Sequence, residues 1–275
     1  VASTVKEIAP YAFANTGVTD VNLPSGLETI GDYAFYSATK LVDITIPGSV
    51  KTIGVGAFRD CWKMTKATLP EGLETIPREC FIGCRKLESV NIPDSVTTIG
   101  NMAFTGCALK EINISKNLTE ISIPGYTFSG CPAAITVDAA NPNYSADERG
   151  VLYNKDKSLL LHCPNFEKAF TFDINCNIDQ YAFYNCANLT DVTFSYAIKK
   201  IPYAAFRNCG SLKITTVPDT VRMIDQVAFD GCGMTEFYLP DSVEYVGTQA
   251  FSSTPLTHFE FNDKVDTFKN IFSIC

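Results

Sequence analysis

The 275-residue sequence predicts a solenoid of right-handed stacked coils, mainly β with short helical turns, and three observations carry that prediction. First, phenylalanine recurs at Phe13, Phe35, Phe58, Phe81, Phe104 and Phe128, then at Phe183, Phe206, Phe229, Phe251 and Phe272. The steps are 22, 23, 23, 23 and 24 residues, a gap of 55, then 23, 23, 22 and 21. Second, these take eleven of the nineteen phenylalanines, a concentration at one repeat position that chance does not produce. Third, the other positions of each coil fall into line around that Phe, so the chain is read as about eleven coils of about 23 residues.

Within a coil, the pattern apolar-x-x-apolar-x-apolar, as in Leu87-x-x-Val90-x-Ile92, alternates faces with β-branched residues and predicts a short half-buried strand. A proline commonly closes it (Pro24, Pro47, Pro70, Pro93, Pro218, Pro240), because proline cannot donate to a ladder and starts a turn. A second extended piece such as Val96-Thr97-Thr98-Ile99 ends five residues before the Phe at Ile8, Ile30, Ile53, Ile76, Ile99, Ile123, Ile178, Ile201, Ile224 or Val246. Glycine often follows (Gly31, Gly54, Gly100, Gly247) and is expected to release the chain into a short helical turn carrying Ala-Phe. One coil cannot bury its own apolar stripe, so neighbours must stack and share a core.

The 55-residue gap holds a different pattern. Val151-Leu152-Tyr153 and Leu159-Leu160-Leu161 flank the turn formers Asn154-Lys155-Asp156-Lys157, which predicts a β-hairpin island at about 138–165 within one domain spanning 1–275. The first residues, Val1 to Val5, read as part of a strand, and the sequence stops at Cys275 inside a repeat, so a fragment or processed ends are expected. An export signal is not present in this sequence.

Units such as Ile53-Gly54-Val55-Gly56-Ala57-Phe58-Arg59-Asp60-Cys61 and Leu87-Glu88-Ser89-Val90-Asn91-Ile92-Pro93-Asp94-Ser95-Val96 closely resemble the bacterial surface-antigen type of leucine-rich repeat, the BspA-like family. The gap segment is similar to the hairpin island of many members. The resemblance implies a leucine-rich-repeat solenoid that is secreted or displayed on the cell surface of a host-associated microbe, used for adhesion or protein recognition.

Composition bounds the rest. A formal net charge of −8 opposes nucleic-acid or anionic-membrane partners, and no run of about 18 apolar residues exists to span a bilayer. Two histidines leave no His-dependent cluster, and no phosphate loop or nucleophile elbow occurs, so no catalytic residue, metal ligand or cofactor is assigned and no enzyme is expected. Eight of eleven cysteines (Cys61, Cys84, Cys107, Cys131, Cys186, Cys209, Cys232, Cys275) sit three residues after the Phe. Their Cβ vectors would run parallel, poor for disulfides, and a small buried corner filler is the expectation. Cys163 and Cys176 flank the island's exit and could pair, and Asp138, Asn141, Asn143, Asp147 and Glu148 could gather oxygen ligands for calcium, though the spacing does not match an EF-hand loop and ordinary turn chemistry explains them.

What is left for binding is the outward row of each first strand. The candidate partner-binding residues are Asp191, Thr193, Ile214, Thr216, Glu236, Tyr238, His258 and Glu260, with Asn91 and Asn113. The function expected is a non-catalytic, monomeric protein-recognition or adhesion scaffold, binding a host or matrix protein through this face. The alternatives are a carbohydrate-binding surface module stacking sugars on Tyr153, Tyr144 or Tyr238, and a structural spacer carrying other domains.

Overall fold

A computed structural model describes residues 4–165, 168–265, 268 and 270–272. The chain is a β-solenoid of about eleven turns with almost no helix, and it forms two compact units, residues 1–150 and 151–275. The expected strand over Val1 to Val5 lies partly outside the described residues; Thr4 and Val5 are turn and coil, and the first strand is Glu7–Ile8.

In the N-terminal unit the first strands Asp43–Thr45, Lys66–Thr68 and Ser89–Asn91 form one parallel sheet in that order, and Glu111–Ile114 pairs in parallel with Ala134–Val137. The second strands, mostly Thr-Ile pairs, form two parallel ladders, Glu7–Ile8 with Thr29–Ile30 and Thr52–Ile53, then Thr75–Ile76 with Thr98–Ile99 and Glu120–Ile121. In each pair the β-branched Ile points into the core and Thr faces outward, the period-2 division the sequence predicts. The C-terminal unit repeats the plan with Asp191–Phe194 on Ala169–Phe172, His258–Glu260 on Glu236–Tyr238, and the ladder of Lys200–Ile201, Met223–Ile224 and Tyr245–Val246.

The third side of each coil is not the helical turn the sequence suggested. Around Phe35 the N–H groups alternate: Ala34, Tyr36 and Ala38 donate within the coil to Gly31, Tyr33 and Phe35, while Tyr33, Phe35 and Ser37 donate to Val55, Ala57 and Arg59 of the next coil at 2.8 Å. The backbone manages this by going left-handed two residues before and two after the Phe, at Tyr33 and Ser37, Glu79 and Gly83, Tyr181 and Asn185, Val227 and Gly231. The later position is filled by Asn, Ser, Asp or Gly, residues that tolerate positive φ. A helix would spend every N–H inside its own coil; the alternation saves half of them to tie coils together. Among the described residues the one helical segment is Pro124–Thr127, where Ile121, not Ile123, takes the strand slot opposite Ile99 and two extra residues precede Phe128.

Glycine's job also differs from the expectation. At Gly31, Gly54, Gly100 and Gly247 the backbone is not left-handed; a Cβ there would come within 2.4–2.6 Å of a backbone nitrogen of the preceding coil. The residue is needed for close approach of two coils.

The core is a column of rings. In the N-terminal unit Phe13, Phe35, Phe58, Phe81, Phe104 and Phe128 stack with centroids 5.0, 5.3, 5.5, 5.7 and 6.0 Å apart. In the C-terminal unit Phe183, Phe206, Phe229 and Phe251 follow at 4.8, 5.4 and 5.5 Å. Beside them runs a column of buried thiols that do more than fill a corner. Each donates to the carbonyl of the Phe one coil back: Cys61 to Phe35 (3.1 Å), Cys84 to Phe58 (3.0 Å), Cys107 to Phe81 (3.2 Å), Cys209 to Phe183 (3.0 Å) and Cys232 to Phe206 (3.0 Å). The repeat cysteine Cys275 lies outside the described residues.

The hairpin is present, Leu152–Asn154 antiparallel to Leu159–His162, and its second strand also pairs in parallel with Asn177–Ile178. The segment after it is therefore a disguised coil. The N–H of Cys163 donates to Ala182 O and its carbonyl accepts Cys186 Sγ, so Cys163 stands where other coils carry the Phe. Cys163 and Cys176 are both buried, and the two are not joined in a disulfide.

Candidate functional site

The strands Glu236–Tyr238 and His258–Glu260 each alternate out-in-out, with Phe237 and Phe259 turned inward and stacked at 5.9 Å. Burying those two rings fixes the register, and the register sets Glu236 opposite His258 and Tyr238 opposite Glu260. Four of the expected residues thus meet on one exposed patch. The Tyr238 ring is 40% exposed, lies 5.5 Å from the His258 ring at 52°, and its hydroxyl donates to Glu236 Oε2 at 3.3 Å. The Glu236 charge first, and that of Glu260 last, hold the Tyr238 phenol above its ordinary range. Thr216 joins the patch by donating its hydroxyl to Tyr238 O at 2.9 Å. Phe261, 53% exposed, extends it, and a cavity of about 250 Å³ opens alongside, lined by Leu256, Thr257, His258, Phe259, Phe261 and Phe272. Phe261 fills the apolar slot that closes the first-strand pattern, where Ile114 and Leu239 are buried in their own coils, and its ring packs with Phe259, Phe268 and Phe272.

Ile214 does not belong to this face. It is 6% exposed and points inward, while Lys213, Thr215 and Thr216 are exposed. Its coil reads Leu212-x-Ile214-x-x-Val217, one residue out of step with Leu-x-x-apolar-x-apolar, and a β-branched Ile gains about 1.5–3 kcal/mol by taking the inward slot. Asp191 and Thr193 are exposed on Asp191–Phe194, beside Ala169 and Thr171. In the N-terminal unit Asn91 and Asn113 are exposed but committed. Asn91 clamps Leu69 through both amide atoms (2.8 and 3.1 Å), and Asn113 Oδ1 accepts Thr136 Oγ1 at 2.5 Å.

Of the tyrosines offered as sugar platforms, Tyr153 is 1% exposed and cannot stack a ligand, and Tyr144 is half-buried with its hydroxyl accepting the Ile121 N–H at 2.9 Å. Only Tyr238 presents its ring. Among the island's oxygen donors, Asn141 and Asp147 are committed. Asn141 is buried, donates to Ser115 O and Leu118 O (2.7 and 2.9 Å) and accepts the N–H groups of Asn143 and Tyr144. Asp147 is paired with Arg149 at 2.7 Å. Asn262 repeats the Asn141 device in the C-terminal unit, donating to Pro240 O and Val243 O and accepting from Lys264 and Val265. Sequence reading named Asn141 only among possible calcium ligands and did not name Asn262; an Asn following a first strand where most coils have a Pro turn is the clue to the shared device.

The buried titratable groups set a stability window. Burial depresses His162 to about 3 and raises the thiols, Cys131 to about 11, with Cys80, Cys84 and Cys107 also pushed well above the ordinary thiol range. Below about pH 6.5 the unfolded chain takes up the His162 proton that the fold refuses, so stability falls with pH. Above about pH 8.5 the unfolded chain loses thiol protons that the fold retains, so stability falls again. A plateau between these limits is expected in urea midpoints followed by circular dichroism, and His162→Leu should flatten the acid limb. An unchanged acid limb would assign it to other groups.

Stacked parallel coils, a shared Phe column and an exposed first-strand face define a leucine-rich-repeat solenoid. Residues 6–135 and 160–275 match the BspA type leucine rich repeat region in six copies, and the chain belongs to that family. The unmatched stretch between them holds the hairpin's first strand. Among solved structures it is similar to a leucine rich cell surface protein from Faecalibacterium prausnitzii A2-165, at 29% identity and TM-score 0.68 over 93% of this chain and 82% of that one. It is also similar in fold to the pneumococcal vaccine antigen PcpA, at 19% identity and TM-score 0.66 over 96% of this chain and 65% of that one. Among curated proteins none matches significantly. Among the described residues no helix is long and apolar enough to cross a membrane.

Proposed function

We propose that this protein is a non-catalytic recognition scaffold, displayed on a bacterial cell surface or secreted, that binds a host or matrix protein through the sheet face of its C-terminal unit. The observation that carries the reading is the patch of Tyr238, His258, Glu236 and Glu260 with exposed Phe261 beside it. A solvated sheet face has no use for two exposed aromatic rings, whereas interface cores are enriched in them. The likeness to a protein named for the cell surface supports the location.

Surface plasmon resonance against a panel of immobilised matrix and mucosal proteins tests this, with a glycan array as the comparison. Tyr238→Ala with Glu260→Ala should weaken capture at least ten-fold, while thermal unfolding shifts little because neither side chain is buried. Capture that survives these and the Phe261→Ala change would exclude this face. Saturable binding on the glycan array alone would favour the carbohydrate reading through Tyr238.

A further inference from the structure

We propose that the patch seats a basic side chain, a lysine or arginine of an extended protein segment, on the Tyr238 ring between the carboxylates of Glu236 and Glu260. The inference rests on the recognition reading above and names the chemistry of the partner. Charge accounting in the C-terminal unit points to it. Asp225 is neutralised by Lys200 at 2.7 Å, Asp230 by Arg207 at 2.9 Å, and Glu244 lies 3.7 Å from Arg222. Among the described residues no ion pair engages Glu236 or Glu260, although Lys213 is exposed on the preceding coil.

The geometry fits a cation and little else. Glu236 precedes Tyr238 by two residues on the same side of one strand, and Glu260 stands opposite Tyr238 on the neighbouring strand, so the ring has a carboxylate on each flank. Strand neighbours lie about 4.8 Å apart, within reach of one ammonium or guanidinium. The Tyr238 hydroxyl, tethered to Glu236, holds the ring in place, and an electron-rich ring face attracts a cation. The same two carboxylates make the phenol harder to ionise. A chain of net charge −8 adds long-range attraction for a basic partner and repels an acidic one. A neutral sugar would stack on the ring and leave both carboxylates without compensation.

The test titrates the full chain, by NMR or biolayer interferometry at low salt, with the peptide Gly-Thr-Val-Lys-Val-Thr-Gly and its arginine, Nε-acetyl-lysine and norleucine counterparts. The lysine and arginine peptides should saturate and bind at least ten-fold more tightly than the two neutral ones, with affinity falling as salt rises. Glu236→Gln with Glu260→Gln keeps the ring and its hydrogen-bonding shape and should abolish that ten-fold preference; Tyr238→Leu should reduce it. Equal binding of the acetyl-lysine peptide, indifference to the double Gln change, or no saturable binding of the lysine peptide would each overturn the inference. If immobilised proteins are still captured in a manner that depends on Tyr238 and Phe261 but not on Glu236 and Glu260, the recognition reading stands without it. If no face variant alters capture, that reading itself fails.

Discussion

Replacing Phe104 by alanine lowers the stability of the N-terminal unit by about 3–5 kcal/mol. The ring is fully buried and stacked between Phe81 at 5.7 Å and Phe128 at 6.0 Å. Removing it forfeits the transfer free energy of a large apolar group and leaves a void that the neighbours cannot close, because the second-strand ladder and the bonds from Phe81 N to Ala103 O (2.9 Å) and Phe104 N to Thr127 O (3.1 Å) tie its coil to both neighbours. In a solenoid each coil touches only its neighbours, so the loss falls on both faces of one coil and splits the column at that point. Phe13, which stacks on Phe35 alone and is only half-buried, is the control; Phe13→Ala should cost clearly less. Urea unfolding of the two variants measures the difference, and a cost below about 1 kcal/mol for Phe104→Ala would mean the column is not a principal source of stability.

Gly100→Ala is expected to destabilise by about 3 kcal/mol, at the upper end for overpacking. The added methyl would sit 2.4 Å from Arg78 N, 2.8 Å from Pro77 C and 2.9 Å from Arg78 Cα. All three are backbone atoms of the preceding coil, held by the Gly100 N–H bond to Ile76 O at 2.8 Å, so no side chain can swing aside. Chain entropy alone predicts the opposite sign, since Gly→Ala at an ordinary φ stabilises by about 0.4–1 kcal/mol. Gly48 supplies the comparison, because a Cβ there meets nothing within 4 Å and Gly48→Ala should be neutral or slightly stabilising. Comparable melting temperatures for the two variants would refute the close-approach account.

The Phe period, the Ile slots and the alternation of the first strand were legible because each is written many times over and each obeys a period-2 or packing rule. Three things were not. The arc carrying the Phe reads as a helix from Ala-Phe composition, and its left-handed pairs at Tyr33 and Ser37 or Tyr181 and Asn185 show only when hydrogen bonds between coils are known. The coil after the hairpin hides because Cys163 replaces its Phe, so a search for the ring steps over it. Ile214 misled because one residue of slip exchanges inside for outside, and a short apolar pattern does not mark which residue has slipped. Of the candidate site, Glu236, Tyr238, His258 and Glu260 were placed on one face by counting alone, whereas their ring tilt and the hydroxyl bond depend on side-chain geometry.

The thiol column has a consequence for the lifetime of the protein. While the coils are stacked, the ten described cysteines are buried, and those in the column are shielded as protonated thiols, so an oxidant finds no thiolate to attack. Once a run of coils opens, several thiols about one repeat apart along the chain regain ordinary acidity together. Crosslinks formed between them in the open chain bear no relation to the stacked geometry and bar the way back. Exposure to oxidant thus acts as a ratchet: the persistence of the molecule under oxidising conditions is governed by how often a coil opens, and a small change in opening rate sets its working age.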